Sequence, residues 1–438
     1  MPTPQHSLLI RGHSPQPFNK ERHIMTAPMR AQQRTAPFIS IAPPEPDLSP
    51  GALILRAEEM LGHLRDRQAE TEAAGNILAE TNRDMVEAGF YRVIQPRLFG
   101  GYGFDLPTFV RLVTAVARGC PETAWVLSIV SGHVHQLATF PLDAQREAYG
   151  ALGDFRAPEV AAPQGTGVAV PGGFRVSGAW DYASGCAHAT HILLTFQVDD
   201  PRPGDSPLRM GLFERADYEI VRNWDVIGMQ GTGSHRAVMN EVFVPAHRTK
   251  PYPQTAAMPP AEAYRDSSLF YGPARPFIIT ESVAVIVGAA EGALDVYEET
   301  FRARKATGPA GASRADLAEY QFNFGRCRAL VDTARAALLQ TAADYMEIAE
   351  RTFTTGEPCS EDDSRRLAMV MLQSVHLAHE AVDIMFRTVG SSAARKDALL
   401  GRYWRNVGVL RGHLAHQSDS AAINYGRVHF GHSPVGIS

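Results

Sequence analysis

A double change of hydrophobic period constrains this chain more than any other feature. From Ala52 to about Gly150, apolar residues recur at three- and four-residue spacing, as in ALILRAEEMLGHLRDRQAETEAAG and ILAETNRDMVEAGF. That spacing predicts helices, with Gly at their stops. Between about Arg156 and Lys250 the pattern becomes short β-rich runs separated by turn residues. VPGGFRVSGAWDYASG reads as a hairpin: a Pro-Gly-Gly turn, then alternation through Phe174, Val176, Gly178 and Trp180. Past Tyr252 a Pro-rich stretch leads into four long amphipathic segments, which imply an antiparallel helical bundle. The expected class is α+β: an N-terminal helical domain (51–156), a small central β-barrel or sandwich domain (157–252) and a C-terminal four-helix bundle (253–438).

Residues 1–50 stand apart. They are rich in Pro, Gln, Ser and Arg, include PPEPDLSPG, and read as a disordered extension without the continuous apolar core of a signal peptide. Met25 or Met29 could equally be the biological start. Several partner classes are disfavoured. A formal net charge of -5 leaves no basic footprint for nucleic acid, and no run approaches the roughly 18 apolar residues of a membrane span. Cys120, Cys186, Cys327 and Cys359 are scattered, as in a protein of the reducing cytoplasm.

Four short segments carry the candidate chemistry. Two are read as helical and hold histidine, AWVLSIVSGHVH (124–135) and RYWRNVGVLRGHLAH (402–416). Two are extended, VSGAWDYASG (176–185) and GMQGTGSHRAVMNEVFVP (228–245). This order suits a protein that clamps a flat cofactor between domains. His133 is read within a long apolar helix, from Glu122 to about Phe140, where a neutral imidazole is poised to accept a proton from a phenol or amine. The competing reading is a satisfied core histidine. Ser184 before Gly185, and Thr232 and Ser234, are ordinary turn residues or hydroxyls aimed at a cofactor edge. Trp180 and Trp224 either wall a flat ring or fill the core. The pairs His376/His379 and His413/His416 have the spacing of half a metal site but lack partner carboxylates, so no metal is expected. GxSxG, HExxH, P-loop and dinucleotide fingerprints are missing.

With Gly119-Cys120-x-x-Thr123-Ala124-Trp125 and His133, Gly178-x-Trp180-x-x-Ala183-Ser184-Gly185, Gly228-Met229-x-Gly231-Thr232-Gly233-Ser234 and Arg402-x-x-Arg405-Asn406 with His413, the chain resembles a known family over roughly residues 52–438. It is similar to the acyl-CoA dehydrogenase fold, in its branch of two-component flavin-dependent monooxygenases. The resemblance implies reduced FMN or FAD as a diffusible cosubstrate, delivered by a separate NAD(P)H:flavin reductase. With O2 it would form a C4a-hydroperoxyflavin that hydroxylates a small aromatic, phenol-like substrate. Ser184 would bond flavin N5, and His413 would help form and protonate the peroxide. His133 would act as base on the substrate hydroxyl, with His135 and Trp125 lining the substrate. Trp180, Thr232, Ser234, Arg302 and Arg405 would contact flavin, Arg302 and Arg304 across subunits of a homotetramer. Asn406 stands where the family usually has Asp, and His135 where an aromatic residue is frequent.

Three alternatives accompany this reading. An acyl-CoA dehydrogenase proper would hold FAD tightly and use a Glu as base, for which Glu281 is the candidate. N- or S-oxidation on the same fold is another, and a non-catalytic scaffold a third.

Overall fold

The computed structural model describes residues 40–201, 204–253, 258–261, 263–304 and 311–435. Most of the expected N-terminal extension, residues 1–39, lies outside them. Its last eleven residues, 40–50, are part of the fold, contrary to the expected boundary. Ile41 bridges to Phe99, Glu45 pairs with Arg56, and the Ser49 hydroxyl accepts from the Ala52 N–H to cap the first helix.

Among the described residues, eight α-helices precede the sheet: α1 (Pro50–Glu59), α2 (Leu61–Asp66), α3 (Gln68–Ala74), α4 (Ala79–Glu87), α5 (Leu106–Gly119), α6 (Pro121–Gly132), α7 (Val134–Leu137) and α8 (Leu142–Tyr149). Asp105 caps α5 through the Thr108 N–H, and a proline opens each of α5 and α6, where its missing N–H costs nothing. The single apolar helix expected over 122–140 is divided at His133, whose ψ of 0° leaves helical geometry.

The central part is one mixed sheet, with strands β1 (Glu159–Val170), β2 (Gly173–Ala183), β3 (His191–Asp199), β4 (Leu208–Glu214), β5 (Glu219–Val221), β6 (His235–Pro245) and β7 (Thr249–Pro251). Their order is β5-β6-β2-β1-β3-β4-β7, and β1 with β3 is the parallel pair. The expected hairpin is β1–β2, with Val170 opposite Gly173 and Gly172 at φ +84° in the turn.

Helices α9 (Ala274–Ala303), α10 (Ala318–Thr355), α11 (Glu361–Val389), α12 (Leu399–Arg411) and α13 (Ser418–His429) complete the chain. The fourth bundle segment is thus two helices, separated after Arg411 by a 3-10 turn at Leu414–His416. Helix α9 is apolar and long enough to cross a bilayer, yet 89% of its most apolar window is buried. It packs against α5, α6, α10, α11 and α12, which makes it the bundle's central core helix.

Candidate active site

Four residues from three elements form one hydrogen-bonded chain. The Trp125 indole N–H of α6 donates to Ser184 Oγ at 3.0 Å, Ser184 Oγ meets Ser234 Oγ at 2.7 Å, and Ser234 Oγ meets Thr232 Oγ1 at 2.7 Å. Thr232 ends the chain by donating to the Met229 carbonyl at 2.7 Å. The polarity is fixed by the two ends. An indole N–H can only donate and a carbonyl can only accept, so each hydroxyl passes its single proton toward Met229. Ser184, 8% exposed, is left with one unused acceptor lone pair and no proton to give.

Local sequence builds this arrangement. Gly185 has φ +72°, and a Cβ there would lie 2.7 Å from Val126 Cγ1, so glycine lets β2 turn directly onto α6. Its N–H donates to the Thr232 carbonyl at 2.9 Å, tying the two hydroxyl segments together. The 228–234 loop is held at two further backbone groups. Asn406 Oδ1 accepts from the Met229 N–H at 2.7 Å, and Glu122 Oε1 accepts from the Gly231 N–H at 2.8 Å. Burial pushes the Glu122 carboxyl up to about 7. The sequence reading missed Glu122; a lone Glu in the first turn of an apolar helix was the available signal.

The histidines His133 and His413 hold opposite tautomers. His133 Nδ1 lies 2.8 Å from the Ala157 carbonyl, an acceptor only, so Nδ1 carries the proton and Nε2 presents a bare lone pair. Burial pushes its pKa down to about 4, so it is neutral near pH 7. His413 lies beyond the end of α12, not on a helix as expected. Its Nδ1 accepts from the Ala415 N–H at 3.3 Å, so the neutral ring carries its proton on Nε2. The side chain is exposed to solvent, while the protein packed around it disfavours its charged form and lowers its pKa as well. Its ring meets Trp125 edge-on at 5.2 Å between centroids. One imidazole is therefore set to accept a proton and the other to donate a hydrogen bond. They flank α6, His133 about 12 Å along the helix from Trp125.

Other expected site residues are placed elsewhere. Trp180 does not wall a ring: it is fully buried in the sheet's core and donates to the Thr195 carbonyl at 2.7 Å. Gly165 makes room for it, since a Cβ there would fall 2.1 Å from the indole. Arg405 spends its donors on Glu72 (2.6 Å) and the Ile227 carbonyl (2.9 Å), a clamp between α3, α12 and the 228–234 loop. Arg302 pairs with Glu298 about 30 Å along α9 from Glu281, out of reach of this chain's own hydroxyl cluster. His416 is absorbed by Ser282 (2.8 Å) and the Leu410 carbonyl (2.7 Å).

His135 belongs to an aromatic nest. It stacks on Phe277 at 4.2 Å and lies 3.3 Å from the Tyr345 hydroxyl, and burial pushes its pKa down to about 3. The unfolded chain binds this proton near pH 6.5 and the folded one does not, so stability falls as pH drops from 6.5 toward 3. His135→Phe should flatten that slope by about one proton over this window, measured by urea denaturation at successive pH values.

The donor set fits a reduced flavin, whose N5–H needs an acceptor such as the free lone pair on Ser184. Comparisons with known proteins agree. The family models described as Acyl-CoA dehydrogenase, N-terminal domain and C-terminal domain match residues 57–151 and 281–418. The flavin-dependent monooxygenase oxygenase subunit HsaA of Rhodococcus jostii (strain RHA1) is 32% identical over 381 residues, covering 86% of this chain and 97% of that one. The FADH(2)-dependent resorcinol hydroxylase oxygenase component of Rhizobium sp. (strain MTP-10005) is 27% identical, over 88% of this chain and 95% of that one. The crystal structure of 3-HSA hydroxylase from Rhodococcus sp. RHA1 superposes with a TM-score of 0.80 at 31% identity, over 88% of this chain and 98% of that one. The chain belongs to the family of flavin-dependent monooxygenase oxygenase subunits built on the acyl-CoA dehydrogenase fold.

Proposed function

We propose that this protein is the oxygenase component of a two-component system that hydroxylates a small phenolic substrate, taking reduced flavin from a separate reductase. The observation that carries the reading is the fixed polarity of the Trp125–Ser184–Ser234–Thr232 chain, which leaves Ser184 an acceptor suited to a flavin N–H. The relatives named for resorcinol hydroxylation and flavin-dependent monooxygenation support the substrate class and the cofactor. Bound reduced flavin supplies the electrons that activate O2, so that one oxygen atom enters the substrate and the other leaves as water.

The chain's own residues bind, orient and move protons around that chemistry. Ser184 holds the flavin N5 proton through its free lone pair, and Trp125 and Ser234 fix the serine's rotamer. His133 Nε2 takes the phenol proton, which makes the ring electron-rich before oxygen arrives. His413 offers its Nε2–H as a hydrogen-bond donor beside Trp125. The apolar faces of α6 and α9 exclude water. Arg302 and Arg304 remain candidates for contact with flavin held by another subunit. The dehydrogenase alternative would need Glu281 ionised as a base, whereas burial holds that carboxyl well above the usual carboxylate range.

Anaerobic titration with reduced and oxidised FAD and FMN tests the reading. Oxidised flavin lacks the N5–H and meets a serine with no proton to offer. The reduced form should therefore bind about tenfold more tightly or better, the worth of one satisfied hydrogen bond. Equal affinity for the two redox forms would sink the proposal.

A further inference from the structure

Helix α9 brings Glu281 to the end of α6 and buries it to 1% exposure. Gly132 creates the space: a Cβ at that position would sit 1.8 Å from Glu281 Oε1. The two helices are fixed in register there, because Ser128 Oγ donates to the Glu281 backbone carbonyl at 2.8 Å. The carboxyl itself is incompletely satisfied. Among the described residues, Oε1 has no hydrogen-bond partner, and Oε2 stops 3.9 Å from His133 Nε2. That gap is too long for a direct hydrogen bond, yet one oxygen atom about 2.8 Å from each end closes it as a bent bridge.

The protonation states at the two ends are complementary. Burial first, and the neighbouring Glu159 carboxyl of β1 second, hold Glu281 well above the usual carboxylate range, so it is a neutral acid with an O–H to donate. His133, at the α6–α7 junction, has its lone pair on Nε2. Lys250 of β7 contributes no hydrogen bond to Glu281; its ammonium binds Gln136 Oε1 at 3.0 Å and the Thr139 hydroxyl. A single oxygen bridging Glu281 and His133 would thus donate toward histidine and accept from the acid, which is what a hydroxyl does.

We propose that Glu281 is a second substrate-contacting group, its carboxylic acid gripping the same phenol oxygen as His133 from an adjacent direction. The inference rests on the phenol reading above. In the proton-transfer step the substrate O–H bond breaks, its proton forms an N–H bond at His133 Nε2, and the electron pair stays on oxygen. Glu281 keeps its own proton and donates it as a hydrogen bond to the phenolate. The pair selects phenols over their ethers, since an ether oxygen has no proton for His133.

The probe is 4-nitrophenol, whose phenol and phenolate forms differ in absorbance, titrated with the full chain across pH. Wild-type protein should lower the apparent pKa of the bound phenol, and 4-nitroanisole should fail to compete. Glu281→Leu should weaken phenolate stabilisation about tenfold, raising that pKa by about one unit. Glu281→Gln, which keeps an N–H donor in the same shape, should retain most of the wild-type shift. Glu281→Met, unbranched and of similar length, replaces the leucine variant where branching disturbs packing. An unchanged bound-phenol pKa in the apolar variants, alongside a changed one in His133→Asn, overturns this role alone. Absence of 4-nitrophenol binding to wild-type protein overturns the phenol reading, and this role with it.

Discussion

Replacing His133 with asparagine should lower the hydroxylation rate by about 10²–10⁴-fold, the usual worth of a positioned general base, while reduced-flavin affinity stays within about twofold. The asparagine amide can still donate to the Ala157 carbonyl in place of Nδ1–H, so the α6–α7 junction keeps its anchor. What disappears is the bare Nε2 lone pair. The phenol then keeps its proton, the ring stays less electron-rich than the phenolate, and oxygen is lost as hydrogen peroxide instead of entering product. Wild-type activity should also lack a His133 limb at ordinary histidine pH. Its pKa is depressed to about 4, so Nε2 stays an acceptor through the range where an exposed imidazole would already be protonated. Product and peroxide measured together in single-turnover mixing check both halves of this expectation. A normal product yield in His133→Asn would contradict the assignment of the base.

The second large effect is expected from Ser184→Ala. Removing the hydroxyl orphans the buried Trp125 indole N–H and takes one partner from Ser234, which should cost about 1–3 kcal/mol of stability. The functional change should be larger than the structural one. Without its acceptor the site no longer tells reduced from oxidised flavin, so the affinity ratio should collapse toward one and peroxide should replace most product. Ser234→Ala approaches the same point from the other side. It releases the Ser184 proton from its fixed direction, so oxidised flavin should gain affinity and the preference should shrink without Ser184 itself changing. Comparing flavin affinities of the two variants separates loss of the acceptor from loss of its orientation.

Period changes in the sequence carried the broad architecture because they report directly which faces are buried. The hairpin at Pro171-Gly172 and the helical ends of the chain could be read this way; α9 was expected to be amphipathic, and its burial on most faces follows from the helices packed around it. Side-chain partners could not, since they depend on contacts between distant segments. Trp180 looked like a wall for a flat ring, but Gly165, on the neighbouring strand, supplies the cavity that seats it in the sheet's core. Arg405 looked like a cofactor ligand until Glu72, more than three hundred residues earlier, claimed its guanidinium. Helix breaks were equally local to the fold. His133 and His413 both sit at interruptions, and there they acquire the backbone partners, Ala157 and Ala415, that set their tautomers. Glu122 and Glu281 were hard to read for the same reason: a carboxylate in an apolar helix has meaning only once its neighbours are known. Ser184, Thr232 and Ser234 were legible as a group through their Gly-rich setting, but the direction of their proton chain came only from its two ends.

The most direct test of the account is isotopic. Wild-type protein, chemically reduced FAD or FMN and resorcinol should be mixed under 18O2, and the product's mass compared with that formed under 16O2. The account predicts a hydroxylated phenol carrying one 18O atom, formed with no reductase present once the flavin is already reduced. Oxidation of all the flavin to peroxide, across a panel of simple phenols with no labelled product, would contradict it.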